Sequence, residues 1–418
     1  MKTLTPKLKK PALLFWVVSA NLLTFNYLNA QYLVNNDSAF TAGKPNSGRL
    51  WGYAFGDFAY KGHSDSLSRG GKQQYTGIPA GRSTFQFRRI YLGYDYNISK
   101  KFFAELLLAM EDNFPAGNPP SSTSATGDLL SNGKIAPYIK YMNVRWKNIW
   151  KGTDLVIGQM STPAFSLTVE KVWTYRSLER TITDFGGGTP SYDMGAALRG
   201  VFDPATKNYG YYLMVGNGNK AVPENDNFKW FYGDVWAKLL DKRIELHLYS
   251  DYERLNWTPT WHHDRNMIKG FAAYTTPQFT VGVEAFINNL HKDNFAVKKA
   301  GGVDTISVKA KGISIFARGI LLPDKLRYVV RYDVFNPNTE IDNEMYSKYS
   351  SPTTGYNDPA TKEYFILASL DWTPAKTVHI MPNIWYSHYA SQIAGTTGKA
   401  TGDHDIVYRL TFFYSFGM

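Results

Sequence analysis

The residue types that carry catalytic chemistry are present in this chain, but their spacing matches none of the common active sites. The 418 residues include no cysteine, which excludes thiol catalysis, thiolate metal sites and disulfides. No two of the eight histidines stand at the i, i+4 spacing of a zinc protease helix. The chain also lacks a Gly-x-Ser-x-Gly elbow and a phosphate-binding Gly-Lys-Ser loop. We therefore predict no enzyme activity, no cofactor and no metal site.

The first 30 residues have the composition of an export signal. A basic start at residues 7–10 precedes an apolar stretch at 12–25, the length that such signals use. We predict a signal peptide over 1–30, cleaved after Ala30, with an N-terminal anchor helix as the alternative. Cleavage removes four lysines and no acid, so the formal net charge falls from +11 to +7. A basic exported chain suits anionic solutes or membrane surfaces and makes a nucleic-acid partner unexpected.

Apolar and polar residues alternate along most of the remaining chain, as they do in strands with unlike faces. Ile244, Leu246 and Leu248, for example, alternate with polar neighbours. Several runs last about ten residues, the length of a strand in a transmembrane barrel. Sixteen strands are predicted: 49–60, 84–96, 101–111, 135–147, 153–160, 193–202, 209–215, 231–240, 242–252, 266–274, 279–288, 305–318, 325–335, 362–372, 376–387 and 404–416.

The segments between these strands alternate between long and short. Residues 61–83 are followed by a turn at 97–100, and residues 161–192 by a turn at 203–208. Outer-membrane barrels have such long external loops and short periplasmic turns, whereas a soluble β-sandwich or solenoid, the alternative, gives no reason for them. We predict an all-β fold, a transmembrane antiparallel β-barrel of about 16 strands over residues 48–418. A periplasmic segment at 31–47 precedes it.

Five segments, in order, resemble the phosphate-selective porin O and P family. They are an arginine pair in 85–93, a Gly-Gln strand end with Pro163 and Phe165, and the segments 177–180, 193–200 and 211–218. The resemblance implies a trimeric outer-membrane channel of sixteen strands. It also implies that the third external loop folds into the lumen and narrows it. We expect residues 170–183 of that loop to form a short helix.

The same resemblance implies the partners of the protein. They are small anionic solutes such as phosphate or polyphosphate, outer-membrane lipid and lipopolysaccharide, further copies of the chain in a homotrimer, and the barrel assembly machinery during biogenesis. The family holds anions with arginines and lysines near the constriction. Guanidinium groups suit this task because they form two parallel hydrogen bonds to phosphate and keep their charge. Several weak sites in series let the ion leave again.

Matched motifs and side-chain parity select the candidate residues of the anion path. By resemblance, Arg88 and Arg89 form the arginine pair, and three cations lie in the constriction loop. Parity places Arg89 on the lumen side and Arg88 on the lipid side. The same alternation assigns further wall arginines to the lumen. The full set is Arg89, Arg145, Lys171, Arg176, Arg180, Arg199, Arg243, Arg327, Arg331 and Arg409.

Acidic residues share the lumen side, so the predicted wall charges nearly cancel. Arg331 with Asp333, and Arg243 with Glu245, are neighbours on one face that either bind anions or pair structurally. The predicted function is passive diffusion of small solutes, preferentially anions. The alternatives are a non-transporting barrel used for docking or adhesion and a channel for neutral or hydrophobic substrates.

Two chemical alternatives stay open within the predicted barrel. His262-His263-Asp264, in a predicted external loop, either contacts a metal or forms a solvated loop tip. A hydrolase assembled from Ser, His and acidic residues at the edge of the lumen is the other, because such a site needs no linear motif.

Overall fold

Sixteen antiparallel strands close into one barrel in the computed structural model. It describes residues 43–69, 75, 78–112, 135–186, 188–258, 261–350, 359–393 and 402–417, with the backbone alone for 256–258 and 261. The predicted signal peptide lies outside the described residues, as does the predicted periplasmic segment up to residue 42. Each barrel strand pairs with the next one along the chain, and the last pairs with the first. The predicted barrel fold is confirmed.

The strands run almost the whole length of the described chain. A short strand, β14, lies outside the ring and pairs with β11, so that β13 pairs directly with β15. The bounds are β1 (Ser47–His63), β2 (Ser83–Asn97), β3 (Phe102–Glu111), β4 (Tyr138–Trp150), β5 (Thr153–Ser161), β6 (Tyr192–Val201), β7 (Tyr209–Gly216), β8 (Trp230–Leu239), β9 (Ile244–Thr258), β10 (Trp261–Thr275), β11 (Phe279–Lys298), β12 (Val303–Leu322), β13 (Leu326–Asn336), β14 (Tyr346–Ser350), β15 (Thr361–Ala375), β16 (Val378–Ser391) and β17 (Gly402–Phe416).

All sixteen predicted strands correspond to barrel strands, but the prediction missed β14 and the true length of β9, β10, β11 and β12. All four extend past the predicted limits on the long-loop side, and β12 also extends past its predicted end on the short-turn side. Residues 291–294 of β11 are polar on both faces. Alternation disappears where neither face needs an apolar surface, so the extension left no periodic signal.

The outer face of the barrel is apolar and the inner face is mixed. In β9, for example, Leu246 and Leu248 are exposed on the outside, while His247 and Tyr249 are buried inside. Closure satisfies the backbone groups of every strand, which is the condition for spanning a layer that offers no hydrogen-bond partners. The outer surface and the backbone are therefore both suited to lipid.

Two β-bulges change which side chains face inward. Along β2 the pairing with β1 passes from Arg89 to Phe87 and skips Arg88, so both arginines are buried in the lumen. The prediction that Arg88 faces lipid is therefore wrong, because one extra residue restarts the alternation. A second bulge, in β4, likewise turns both Lys140 and Tyr141 inward.

The loop between β5 and β6, residues 162–191, folds into the barrel as predicted and forms much of its core. It carries two short helices, α1 (Val169–Trp173) and α2 (Ile182–Gly186), in place of the single helix expected over 170–183. Thr174 ends α1 by adopting a left-handed conformation with φ 60°. The Trp173 ring packs against the ring of Phe316 on the wall, with the two ring centroids 5.0 Å apart. No helix in the described part of the chain has the length and hydrophobicity needed to cross a membrane.

Gly158 of β5 is a strand position at which the backbone disfavours a side chain. Its φ is 122°, and an added Cβ would lie 2.3 Å from the carbonyl oxygen of Met142. We expect Gly158→Ala to lower the free energy of unfolding by about 1–3 kcal/mol, because both the backbone conformation and the nearby carbonyl oxygen of Met142 disfavour a Cβ. Equilibrium urea titration of the refolded barrel in detergent measures this change.

Gly270→Ala is the matched control for that substitution. Gly270 also lies within a barrel strand, but nothing stands within 4 Å of its added Cβ. Its unfolding free energy should change by less than about 0.5 kcal/mol. Equal midpoints for the two variants would contradict the assignment of Gly158.

Candidate functional site in the barrel lumen

Basic side chains of the wall hold the backbone of the infolded loop. Arg409 Nη2 donates to the Leu178 carbonyl oxygen at 2.7 Å, and Arg318 Nε donates to the Val172 carbonyl oxygen at 3.0 Å. Such short, irregular segments leave carbonyl groups without partners of their own, and charged donors satisfy them. The wall residues that donate to the loop in this way are termed the loop anchors: Arg88, Lys269, Arg318, Arg331 and Arg409.

Asp57 neutralises two of the loop anchors. Its carboxylate lies 3.2 Å from Nη1 of Arg409 and 3.6 Å from Nε of Arg88, and it accepts a hydrogen bond from Tyr75 at 3.0 Å. The Arg409 guanidinium also stacks 3.7 Å from the centroid of the Trp385 ring. Arg409 thus makes a cation–π interaction with Trp385 and a buried ion pair with Asp57. The charge of Arg409 is therefore used to hold the loop.

Arg331 is neutralised in the same manner, by Asp333. Its Nε donates to Asp333 Oδ1 at 2.8 Å, and both side chains are buried. Its guanidinium lies 5.2 Å from the centroid of the Trp173 ring and donates to the carbonyl oxygen of Arg180. The structural pairing considered for Arg331 and Asp333 is thus the arrangement in the structure.

A second charge network joins the loop to β2, β3 and β4. Glu111 accepts from Arg89 Nη1 at 2.6 Å and also pairs with Lys140. Within the loop, Arg176 pairs with Glu170 and lies 2.7 Å from Asp184. The buried cations of this network, Arg89, Lys140 and Arg176, each form an ion pair with at least one carboxylate.

The two loop carboxylates respond differently to this environment. Burial raises the pKa of the Glu170 carboxyl above its usual value. Burial also opposes ionisation of Asp184, but the neighbouring Arg176 and Arg180 guanidinium groups hold the pKa of that carboxyl below its usual range. Asp184 is therefore the charged partner of Arg176, and Glu170 is the group that more readily takes a proton.

The structure divides the sequence-predicted anion residues into two classes. Arg145 and Arg327 are buried, like the four arginines that pair with carboxylates. Arg145 lies over the Phe103 ring, and Arg327 donates a hydrogen bond to Thr373. Lys171 is exposed on α1, and two arginines are half-buried. The buried class is Arg89, Arg145, Arg176, Arg327, Arg331 and Arg409, and the solvent-accessible class within the barrel is Lys171, Arg180 and Arg199.

Arg243 does not lie on the lumen wall, which corrects the prediction. It occupies the β8–β9 turn, where Leu240, Asp241 and Lys242 all have positive φ and β9 begins only at Ile244. The side chain is exposed there. Parity failed because the strand is shorter than its alternating sequence, and the backbone turn decides where alternation starts. Glu245, the suggested partner of Arg243, instead contacts Lys238 and His247.

Solvent-accessible bases collect at the end of the barrel where short turns join the strands, here termed the short-turn end. The half-buried or exposed bases that the lumen presents there are Lys147, Lys171, Arg199, Lys238 and Arg318. Sequence reasoning missed Lys147, Lys238 and Arg318, although the alternation that selected the wall arginines also carries these residues. Asp57, the centre of the anchor network, gave no distinguishing signal of its own.

The histidine-rich segment considered for metal binding does not converge on one point. His263 faces inward and its Nε2 lies 2.8 Å from Asp293. Asp264 lies across the strand pair from His291, whose Nδ1 is 3.9 Å from its carboxylate. Successive strand residues point to opposite faces, so neighbours in sequence are separated in space.

Comparison with known proteins supports the fold. No protein-family model matches the chain, and no curated protein sequence matches it. The outer-membrane channel DcaP of Acinetobacter baumannii is similar in structure, with a TM-score of 0.57, 12% identity and coverage of 93% of this chain and 100% of that one. OmpT of Vibrio cholerae gives a TM-score of 0.54 and 11% identity over 90% of this chain and 99% of that one.

A third structure, OmpF of Salmonella typhi in complex with daunomycin, has a TM-score of 0.54 and 10% identity, and the match covers 89% of this chain and 98% of that one. At these identities the likeness is one of fold. It agrees with the closed sixteen-stranded ring described above. Membership of the phosphate-selective porin O and P family stays a prediction.

The anchor network predicts a large stability cost for removing both arginines beside Asp57. We expect the double variant Arg88→Met, Arg409→Met to lose about 3–5 kcal/mol of unfolding free energy, because a buried carboxylate keeps no cationic partner. Urea titration followed by tryptophan fluorescence measures the loss. Arg243→Met, which changes an exposed turn residue, should shift stability by less than about 0.5 kcal/mol. Equal shifts for the two proteins would show that the wall arginines do not hold the loop.

Proposed function

We propose that the chain is an outer-membrane porin through which small solutes diffuse passively, with a preference for anions such as phosphate or polyphosphate. The observation that carries the proposal is a closed barrel, apolar outside and with both charged and aromatic residues inside, whose third long loop is folded into the lumen. An infolded loop narrows the lumen and brings solutes close to the charged side chains that line it. Passive passage needs no catalytic group.

The preference for anions rests on which lumen charges water can reach. Most lumen carboxylates, such as Asp57, Asp333 and Asp371, are buried and hydrogen-bonded. The bases at the short-turn end are partly exposed and outnumber the half-buried Glu245, which pairs with Lys238. Accessible charges of one sign between low-dielectric walls raise the local concentration of the opposite ion. The buried Arg331 and Arg409 contribute by holding the loop.

Location and assembly belong to the same proposal. We infer export to the Gram-negative outer membrane by the N-terminal signal, insertion by the barrel assembly machinery, and contacts of the outer face with lipid and lipopolysaccharide. A homotrimer is part of the proposal because an in-vitro folded OmpT of Vibrio cholerae, which has a similar fold, is described as a trimer form. Cross-linking of the purified protein in detergent tests this last point.

The dense lumen supports a second candidate, a barrel that does not transport and serves for docking or adhesion. Trp51, Trp173 and Trp385 are buried inside the barrel together with other aromatic rings of the wall and loop. Packing of this kind is typical of a protein core and excludes water. Conductance separates the two candidates.

Planar-bilayer recording of the refolded protein under a chloride gradient tests the porin proposal. We expect discrete channels, a reversal potential of the sign given by anion selectivity, and a smaller chloride current after phosphate is added. A neutral or cation-selective pore would overturn the anion preference. Reproducible silence from protein that is folded, judged by its heat-modifiable mobility in gels, would favour the docking barrel.

Lys171 is the loop cation whose charge we expect to affect selectivity most. Arg176 is buried between two carboxylates, whereas Lys171 is exposed on α1. We expect Lys171→Glu to lower the anion-to-cation permeability ratio by at least about twofold, because the local potential at the loop reverses in sign. Reversal potentials in asymmetric salt measure the ratio.

Lys242→Glu is the matched control for Lys171→Glu, since it makes the same change in net charge at an exposed turn outside the lumen. Its permeability ratio should equal that of the unmodified protein. A shift as large as that of Lys171→Glu would mean that overall charge, and not the loop, sets the selectivity.

A further inference from the structure

Two histidines and an aspartate meet at the external end of the seam between β1 and β17. His63 ends β1, and Asp403 and His404 stand near the start of β17. One ring nitrogen of each imidazole and one carboxylate oxygen lie within 4.8 Å of one another. Among the residues that the structure describes, no other group of three His or acidic side chains comes this close together. All three side chains are partly exposed.

Asp403 is held in position between the two imidazoles. Its Oδ2 accepts the backbone N–H of Ser66 at 2.7 Å, and its Oδ1 accepts the backbone N–H of His404 at 2.8 Å. The same Oδ1 lies 3.6 Å from Nδ1 of His404 and 3.9 Å from Nδ1 of His63. The backbone thus presents one carboxylate oxygen to both rings.

The hydrogen bond of His63 leaves a nitrogen lone pair available. Its Nδ1 lies 2.7 Å from the carbonyl oxygen of His404 and must donate to it, so the neutral ring carries its lone pair on Nε2. Metal-binding histidines commonly donate their second ring N–H to a backbone carbonyl in this way. The two rings stack with centroids 4.0 Å apart and planes 5° apart.

The cluster lies on the aqueous side of the aromatic residues of the outer face. Tyr60 and Tyr408 are paired in register, and both are exposed outward. Exposed aromatic rings at strand ends mark the interface between hydrocarbon and water in outer-membrane barrels. His63 is three residues further along β1, about 10 Å beyond that level. Ions in the external solution can therefore reach it.

We propose that His63, Asp403 and His404 bind one divalent transition-metal ion, with Zn²⁺ as the representative. Two imidazoles and one carboxylate form a donor set for Zn²⁺, Ni²⁺ or Cu²⁺, whereas Mg²⁺ prefers oxygen ligands alone. Ligands stand about 2.0–2.2 Å from Zn²⁺, so binding draws the three atoms closer together than they are now. Rotation of the two partly exposed imidazoles supplies this movement. The Nδ1 of His63 that now faces Asp403 carries the proton, so this ring turns until its Nε2 lone pair faces the ion. Water completes the coordination.

Such an ion would join the first and last strands of the barrel at their outer ends. Asp403 also accepts a hydrogen bond from Ser66 of the first external loop, so the loop is tied to the same point. An ion that binds only the folded state raises its stability by mass action. The proposed role is therefore a metal-dependent closure of the outer end of the seam, independent of transport through the lumen.

The test is isothermal titration calorimetry of the refolded mature chain, prepared without a histidine tag, with Zn²⁺ and in parallel with Mg²⁺. We expect one Zn²⁺ per chain and no saturable binding of Mg²⁺. His63→Ala and His404→Ala should each weaken Zn²⁺ binding by at least about tenfold, because each removes a ligand. Heat-modifiable mobility confirms that each variant is folded before titration.

His291→Ala is the matched control. The Nδ1 of His291 also lies 3.9 Å from a carboxylate, that of Asp264, but the pair belongs to no group of three ligands in the described part of the chain. This variant should bind Zn²⁺ as the unmodified protein does. Zn²⁺ should also raise the midpoint of thermal unfolding of the unmodified protein and of His291→Ala. It should leave the midpoint of His404→Ala unchanged. Equal affinity in the three alanine variants, or no saturable Zn²⁺ binding by the unmodified chain, would overturn the proposal.

Discussion

The pairing of β1 with β17 is the interaction on which the other features of this protein depend. Without it, each of those strands would present a row of unpaired N–H and C=O groups to a medium that cannot satisfy them. Closure makes every strand two-faced, with lipid-compatible residues outside and a mixed set of charges and aromatic rings inside. It also creates an interior that must be filled, and the loop between β5 and β6 fills much of it.

The infolded loop explains why so many charged residues can be buried. A charge removed from water is costly unless it is paired and hydrogen-bonded. Arg409 beside Asp57, and Arg331 beside Asp333, meet that condition and satisfy loop carbonyl groups at the same time. The same residue type serves a different purpose at the short-turn end, where Arg199 remains partly in contact with water. Burial, and not residue identity, separates structural cations from those that can meet a solute.

Much of this architecture could be predicted from local pattern. Alternation located all sixteen barrel strands, and the alternation of long and short connections identified the two ends of the barrel. The extension of β11 past residue 288 was missed because residues with two polar faces carry no periodic signal. The side-chain assignments were less complete, since parity is reliable only while a strand stays regular. The bulge at Arg88 and the turn before Ile244 each broke that condition.

The sequence by itself determined the fold class and the strand order, because these follow from hydrophobic periodicity and chain connectivity along neighbouring residues. The entry of the third loop into the lumen was expected only from the family resemblance. Tertiary structure alone decided which cations are neutralised, because pairing depends on distances between strands. It also brought His63 and His404 into contact although they are 341 residues apart in the chain. Contacts made by ring closure have no local signature, since they depend on which strand returns to the first.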